Sequence, residues 1–153
     1  MKKRVLFLCT GNSARSQMAE LLLQLIAGDH FESSSAGTHP VGVNPMTVEV
    51  MKELGVDMTH QRSKSVQEFT GESFDFVITV CDRAKETCPI FPSASHMLHW
   101  NFEDPAAAPA AERQDIFRRV RDEIADRLCQ FISEENLMPP GTLNCYRCDP
   151  FGQ

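Results

Sequence analysis

The composition excludes several classes of protein. The 153 residues make up the length of one ordinary domain, and 42% hydrophobic with 24% charged residues is typical of a globular chain rather than a disordered one. The net charge of −6 disfavours nucleic acid as the main partner, and no apolar run approaches the roughly 20 residues that span a bilayer. We therefore expect a single cytoplasmic domain that binds neither nucleic acid nor membrane.

The first half of the chain alternates strand and helix patterns. Residues 4–9, RVLFLC, form a continuous apolar run typical of a strand buried on both faces, and apolar residues at helical spacing follow until Gly28. A short strand is predicted at residues 31–36. Asn44, which is followed by proline, suits the N-cap of a second helix that ends near Gly55. The predicted order is strand, helix, strand, helix.

The second half continues this alternation less regularly. Residues 74–80, FDFVITV, are predicted to form a strand that ends at Cys81, and a weaker strand is expected at residues 94–98. Apolar residues at every fourth position predict a long amphipathic helix over residues 111–133.

Strands that alternate with helices predict an α/β fold with a parallel sheet and helices on both faces. We expect this domain at residues 1–133, with an extended or loosely ordered tail at residues 134–153, which lack periodicity. Folds of this kind bind ligands beyond the carboxyl ends of their strands. Cys9 and Cys81 each end a predicted strand, so the two thiols are expected at the same edge of the sheet.

The loop after the first strand, CTGNSARS at residues 9–16, has the features of an anion site. A loop that leaves a strand and enters a helix turns backbone N–H groups inward, and Gly11 permits close approach. The Arg15 guanidinium is a permanently charged partner for a tetrahedral oxyanion. These donors favour the thiolate of Cys9, which becomes a nucleophile aimed at the anion. The expected substrate-binding residues are Thr10, Gly11, Asn12, Ser13, Ala14, Arg15 and Ser16.

This loop, with five residues between the cysteine and the arginine and a serine after the arginine, resembles that of the low-molecular-weight protein tyrosine phosphatase family. The resemblance covers residues 3 to about 133. It implies a four-stranded parallel sheet flanked by helices. It also implies that Asn12 braces the loop and that Ser16 hydrogen-bonds the Cys9 thiolate.

A reaction that expels an oxygen from the anion also needs a proton donor. Asp104 is followed by Pro105, which stiffens the backbone beside the acid. In the phosphatase family an Asp-Pro pair late in the chain is the general acid, and the resemblance gives this role to Asp104. The neighbouring Glu103 is the weaker candidate.

The chain also resembles the thioredoxin-coupled arsenate reductases built on the phosphatase fold. The resemblance rests on Cys9, Cys81 and Cys88 and on two further motifs, HWNFEDPA at residues 99–106 and RVRDEI at residues 119–124. The resemblance implies that Cys9 attacks arsenate and that Cys81 then displaces arsenite from the Cys9 adduct. Cys88 next attacks Cys81 and forms a second disulfide with it, which thioredoxin reduces. We expect no metal and no organic cofactor in this relay.

The alternative is a tyrosine phosphatase that hydrolyses its substrate through a Cys9 phosphoenzyme and has no use for Cys81 or Cys88. Phosphatases of this family commonly carry an aromatic residue after the Asp-Pro pair, whereas alanines occupy residues 106–108 here. This favours a small inorganic anion as substrate. Arsenate and phosphate share shape and charge, so a weak phosphatase activity is expected even in a reductase. A metal-binding module is disfavoured because four clustered Cys or His ligands are not visible.

Some thioredoxin-coupled relatives bind a monovalent cation near the loop through acidic and hydroxyl side chains. Glu20 and Ser35 match part of such a site, but Lys64 stands where an acid is expected. Our hypothesis is that the Lys64 ammonium substitutes for the ion, and the alternative is an exposed loop lysine.

Three cysteines remain outside the relay. Cys129 lies in the predicted long helix and is expected to be a packing residue. Cys145 and Cys148 form a CxxC pair in the tail, for which an incidental, a redox and a metal-binding role all stay open.

Overall fold

The computed structural model describes residues 2–81 and 94–135. Four strands and three α-helices lie within these residues, and none of the helices is both long and apolar enough to cross a membrane. Two 3-10 turns, Val66–Phe69 and Pro105–Ala107, accompany them. The strands and helices in chain order are β1 (Lys3–Cys9), α1 (Arg15–Ala27), β2 (Phe31–Gly37), α2 (Pro45–Lys52), β3 (Phe76–Thr79), β4 (His96–His99) and α3 (Arg113–Glu134).

The four strands form one parallel sheet in the order β2-β1-β3-β4. This confirms the predicted four-stranded parallel α/β fold. Residues 5–8 of β1 are fully buried, as their continuous apolar run predicts for a central strand. Leu8 of β1 pairs with Thr79 of β3, so the segments that follow these two strands leave the sheet side by side.

The two faces of the sheet are covered differently, because alternate side chains of a strand point to opposite faces. Val5 and Phe7 belong to a large core cluster that includes residues of all three α-helices. Leu6 and Leu8 belong to a smaller cluster with Val66 of the first 3-10 turn. The sequence predicted helices on both faces. In the part of the chain that the structure describes, the α-helices share the first cluster and a 3-10 turn contributes to the second.

Local sequence signals account for the bounds of α2. The Asn44 side chain accepts a hydrogen bond of 2.9 Å from the Met46 N–H, which satisfies one of the free donors at the start of the helix. The helix ends at Lys52. Gly55 lies beyond it with φ of +77°, a conformation that favours glycine.

An ion-pair cluster joins the end of α2 to α3. The Glu53 carboxylate lies 2.6 Å from Arg118 Nη2 and 2.8 Å from Arg121 Nη1. Arg121 is buried and also donates to the Val50 carbonyl at 2.8 Å. The hydrogen bond from Arg118 holds the pKa of Glu53 below its ordinary value of 4.5, with help from Arg121 and against the opposing effect of burial.

We expect Glu53→Gln to lower the free energy of unfolding by about 1 kcal/mol at neutral pH, the size typical of a partly exposed ion pair. Because the pKa of Glu53 is lower in the folded chain than its ordinary 4.5, its contribution is present above that pH and is lost as the pH falls through the folded-state value. Urea unfolding of both proteins at neutral and acid pH measures this, and the difference should disappear in acid.

Asp115→Asn is the matched control, because it removes an exposed carboxylate that also contacts Arg118 and should change stability little. A Glu53→Gln difference that persists unchanged in acid would contradict the electrostatic explanation.

Candidate active site

The loop between β1 and α1 directs its backbone carbonyls outward. The carbonyl oxygens of residues 9–13 all accept hydrogen bonds from outside the loop, at 2.7 to 3.1 Å. In a planar trans peptide the C=O and the following N–H point in opposite directions. The N–H groups of residues 10–14 therefore face the inside of the loop and form a bowl suited to an anion. The outer donors include the N–H groups of Thr38, His39, Val41 and Asn44 and the hydroxyls of Thr47 and Ser63.

Cys9 lies at the base of this bowl, at the end of β1, and is 3% exposed. Its Sγ accepts a hydrogen bond from the Asn12 N–H at 3.2 Å and lies 2.7 Å from Ser16 Oγ. The resemblance to the phosphatase family implied this Ser16 contact. The Asn12 N–H and the Ser16 hydroxyl thus both lie against the sulfur, beside the N-terminus of α1.

Asn12 holds the loop in shape. Its φ of +48° is a left-handed conformation that is uncommon for residues other than glycine. The buried side chain stabilises this backbone conformation with four hydrogen bonds. Its Nδ2 donates to Ser16 Oγ at 2.8 Å and to Ser35 Oγ at 3.0 Å. Its Oδ1 accepts from Gln17 Nε2 at 3.0 Å and from the Lys64 N–H at 2.8 Å.

Arg15 and Asp104 meet at the mouth of the bowl. Arg15 Nη1 donates to the Phe102 carbonyl at 3.0 Å, and Nη2 lies 3.9 Å from Asp104 Oδ2. The Asp104 side chain is 49% exposed, and its Oδ1 accepts a hydrogen bond from the Ala106 N–H. This cap holds the carboxyl at the start of the second 3-10 turn, beside Arg15.

Glu103, the weaker candidate for the general acid, lies elsewhere. Its carboxylate is paired with Arg119 of α3. Of the two neighbouring acids, the structure brings only Asp104 next to Arg15.

Cys81 lies against the same bowl. It follows β3, is 3% exposed, and its Sγ is 3.5 Å from Thr10 Oγ1. The parallel register of β1 and β3 produces this contact, because it continues from the pairing of Leu8 with Thr79. Cys9 and Cys81 are both free thiols. Cys88 lies outside the described residues.

Of Cys129, Cys145 and Cys148, only Cys129 lies within the described residues. Cys129, expected to be a packing residue, is indeed part of the core at 6% exposed. It is also disulfide-bonded. Across residues 2–81 and 94–135, no cluster of His, Cys, Asp and Glu side chains could hold a metal ion.

Comparison with known proteins decides the family. The family described as low molecular weight phosphotyrosine protein phosphatase matches residues 4–138. The chain belongs to this family. An arsenate reductase from Halalkalibacterium halodurans is 44% identical over 132 residues, which cover 85% of this chain and 95% of that protein.

Solved structures of the phosphatase fold agree with this assignment. A structure described as an arsenate reductase in the phosphate binding state matches with a TM-score of 0.75 and 29% identity, over 86% of this chain and 98% of that one. A thioredoxin-dependent arsenate reductase from Corynebacterium glutamicum matches with a TM-score of 0.68 and 28% identity, over 89% of this chain and 62% of that one.

Sequence reasoning missed the segments that brace the phosphatase loop from outside. Gly37, at the end of β2, is the closest of these contacts. A Cβ added there would lie 2.5 Å from the Thr10 carbonyl oxygen and 2.8 Å from the Asn12 nitrogen. Only a residue without a side chain lets β2 support the loop at this distance. A glycine where a predicted strand meets a loop was the one available signal.

We expect Gly37→Ala to weaken the binding of inorganic phosphate roughly tenfold, about the loss of one charge-assisted hydrogen bond, because the added methyl group displaces the loop amides. Isothermal titration calorimetry measures the affinity. Gly71→Ala is the control, since a Cβ there meets nothing within 4 Å. Unchanged phosphate affinity in Gly37→Ala would mean that β2 does not support the bowl.

Proposed function

We propose that this protein reduces arsenate to arsenite through a relay of cysteine thiols that thioredoxin regenerates. Its 44% identity to a bacterial arsenate reductase supports the reaction, and the likeness to a thioredoxin-dependent arsenate reductase supports the reductant. Arsenate is the substrate, and the reaction uses neither a metal nor an organic cofactor.

The observation that carries the proposal is the position of Cys81. A hydrolytic phosphatase needs a nucleophile, an anion site and an acid, and Cys9, Arg15 and Asp104 suffice for that. A reductase also needs a second thiol beside the first. Cys81 is a buried free thiol, and its Sγ lies 3.5 Å from the hydroxyl of Thr10, the residue that follows the nucleophile.

In the first step the Cys9 thiolate attacks the arsenic atom of arsenate, which the loop amides and Arg15 hold. A sulfur–arsenic bond forms and an arsenic–oxygen bond breaks. The departing hydroxyl of monoprotonated arsenate takes a proton from Asp104 and leaves as water. Arg15 stabilises the charge on the remaining oxygens as the bonds change.

In the second step the Cys81 thiolate attacks Cys9 Sγ. A disulfide forms between the two cysteines, and the electron pair of the broken sulfur–arsenic bond stays on arsenic, which leaves as arsenite. Cys88 then attacks Cys81 Sγ and releases Cys9 as a thiolate. The dithiol of thioredoxin reduces the disulfide of Cys81 and Cys88 and is itself oxidised.

Hydrolysis of aryl phosphates is the second candidate function. The family match over residues 4–138 favours it, and Cys9, Arg15 and Asp104 are arranged for it as well as for reduction. The two functions therefore share the first step and differ in whether a thiol or water attacks the Cys9 adduct.

Cys81→Ser separates the two functions. We expect this variant to lose arsenate-dependent oxidation of NADPH in the presence of thioredoxin and thioredoxin reductase, because no thiol can release arsenite from Cys9. Any hydrolysis of an aryl phosphate should persist, since the bowl and the acid remain. Cys9→Ser is the control and should lose both activities. Multiple turnover of arsenate by Cys81→Ser would overturn the relay.

Asp104→Asn tests the proton donor. We expect the rate of arsenite formation in a single turnover to fall by on the order of a hundredfold, the usual contribution of general acid catalysis. Glu103→Gln is the matched control, because the Glu103 carboxylate pairs with Arg119 away from the bowl. A larger loss in Glu103→Gln than in Asp104→Asn would exchange their roles.

A further inference from the structure

A buried carboxylate and a partly buried ammonium lie beside the active-site loop. Glu20 of α1 is 5% exposed. Its Oε1 accepts a hydrogen bond of 2.6 Å from Ser35 Oγ and lies 3.7 Å from Lys64 Nζ. The Lys64 side chain is 14% exposed, and its Nζ also donates to the Arg62 carbonyl at 3.1 Å. Lys64 is therefore not the exposed loop lysine that was the alternative from sequence.

A chain of hydrogen bonds connects this pair to the nucleophile, and the directions from Asn12 to Ser16 and from Asn12 through Ser35 to Glu20 are assigned. The Ser35 hydroxyl donates to Glu20 and therefore accepts from Asn12 Nδ2. The second hydrogen of Asn12 Nδ2 goes to Ser16 Oγ. Ser16 accepts there, which leaves its own hydrogen free to be donated to Cys9 Sγ, 2.7 Å away, as a thiolate requires.

Asn12 cannot reverse this direction by turning its amide. Its Oδ1 accepts from the Lys64 N–H and from Gln17 Nε2, which are both donors. Exchanging the oxygen and nitrogen of the amide would place N–H groups against these two donors. Lys64 thus meets the chain at two points, with its main-chain N–H donating to Asn12 in the middle and its ammonium beside Glu20 at the end away from Cys9.

The charge of Glu20 sets the direction at the far end. A carboxylate only accepts, so it requires the Ser35 hydroxyl to donate. A buried carboxylate remains charged at low cost only when a positive group compensates it, and the Lys64 ammonium is the positive group that lies beside it. A metal ion brought to Glu20 would meet this fixed positive charge.

We propose that Lys64 is a positioning residue whose ammonium serves as a built-in counter-ion of Glu20, so that Ser16 stays oriented toward Cys9 without a bound monovalent cation. The residues present do not fit the cation site of some thioredoxin-coupled relatives, because an ammonium stands where an acidic ligand is expected. Lys64 acts through Glu20, Ser35, Asn12 and Ser16 and does not touch the substrate.

The test measures how fast iodoacetamide alkylates Cys9, read by peptide mass mapping, in potassium chloride and in choline chloride of equal ionic strength. In the unaltered protein the two rates should be equal. Lys64→Met should lower the rate roughly tenfold, as weakening of one charge-assisted hydrogen bond to the thiolate would do. Lys64→Arg should keep most of the rate, because it keeps the charge. Lys64→Asp should be slow in choline chloride and recover in potassium chloride.

Lys52→Met, which removes an exposed lysine of α2, is the control and should match the unaltered protein. A Lys64→Met rate equal to that of Lys52→Met would overturn the proposal. So would a several-fold increase in the rate of the unaltered protein on adding potassium, a measurement that needs no variant to fold. The proposal rests on Cys9 being the nucleophile of the proposed function. Because alkylation needs no arsenate, its rate can be interpreted even if the protein does not reduce arsenate.

Discussion

The outward direction of five consecutive carbonyls, at residues 9–13, is the constraint on which the active site depends. Each is held by a donor from the segment after β2 or from Ser63, and each bond turns the next N–H into the bowl. The bowl is therefore shaped by contacts from outside the loop as much as by the loop's own sequence. Gly37 permits this by bringing the end of β2 within contact of Thr10 and Asn12. The chain as a whole is negative, so only such a local arrangement of donors can hold an oxyanion.

The parallel sheet gives the bowl a second thiol. β1 and β3 are neighbours and run in the same direction, so the cysteines that follow them leave the sheet at the same edge. Thr10 of the loop contacts Cys81 across this edge. The same backbone arrangement thus supports two chemistries. Cys9 alone would serve the hydrolysis considered above, and Cys81, in contact with Thr10, is the second thiol that the proposed transfer of two electrons to arsenate requires.

Local patterns predicted the parts of this molecule that short-range physics determines. The run RVLFLC, the N-cap at Asn44 and the amphipathic spacing of α3 each specify an element with little help from the rest of the chain. The loop CTGNSARS predicted an anion site, because the strand, the glycine, the arginine and the start of the helix are adjacent in sequence. The proposed role of Asp104 came mainly from resemblance, since an Asp-Pro pair far along the chain has no local feature that points to Arg15.

The supports behind the loop could not be predicted, because they depend on contacts between segments that are remote in sequence. Gly37 contacts the loop by close packing, and the backbone after β2 and Ser63 contact it through hydrogen bonds; none of these contacts leaves a periodic pattern. The disulfide of Cys129 was not predicted either, because a helical cysteine that only packs and one that forms a disulfide are both buried.

The most direct test of the central claim uses Cys88→Ser with arsenate and no reductant. The account predicts about one arsenite released per chain and a disulfide between Cys9 and Cys81 in the peptide map. Release of no arsenite, or a disulfide that does not include Cys9, would contradict it.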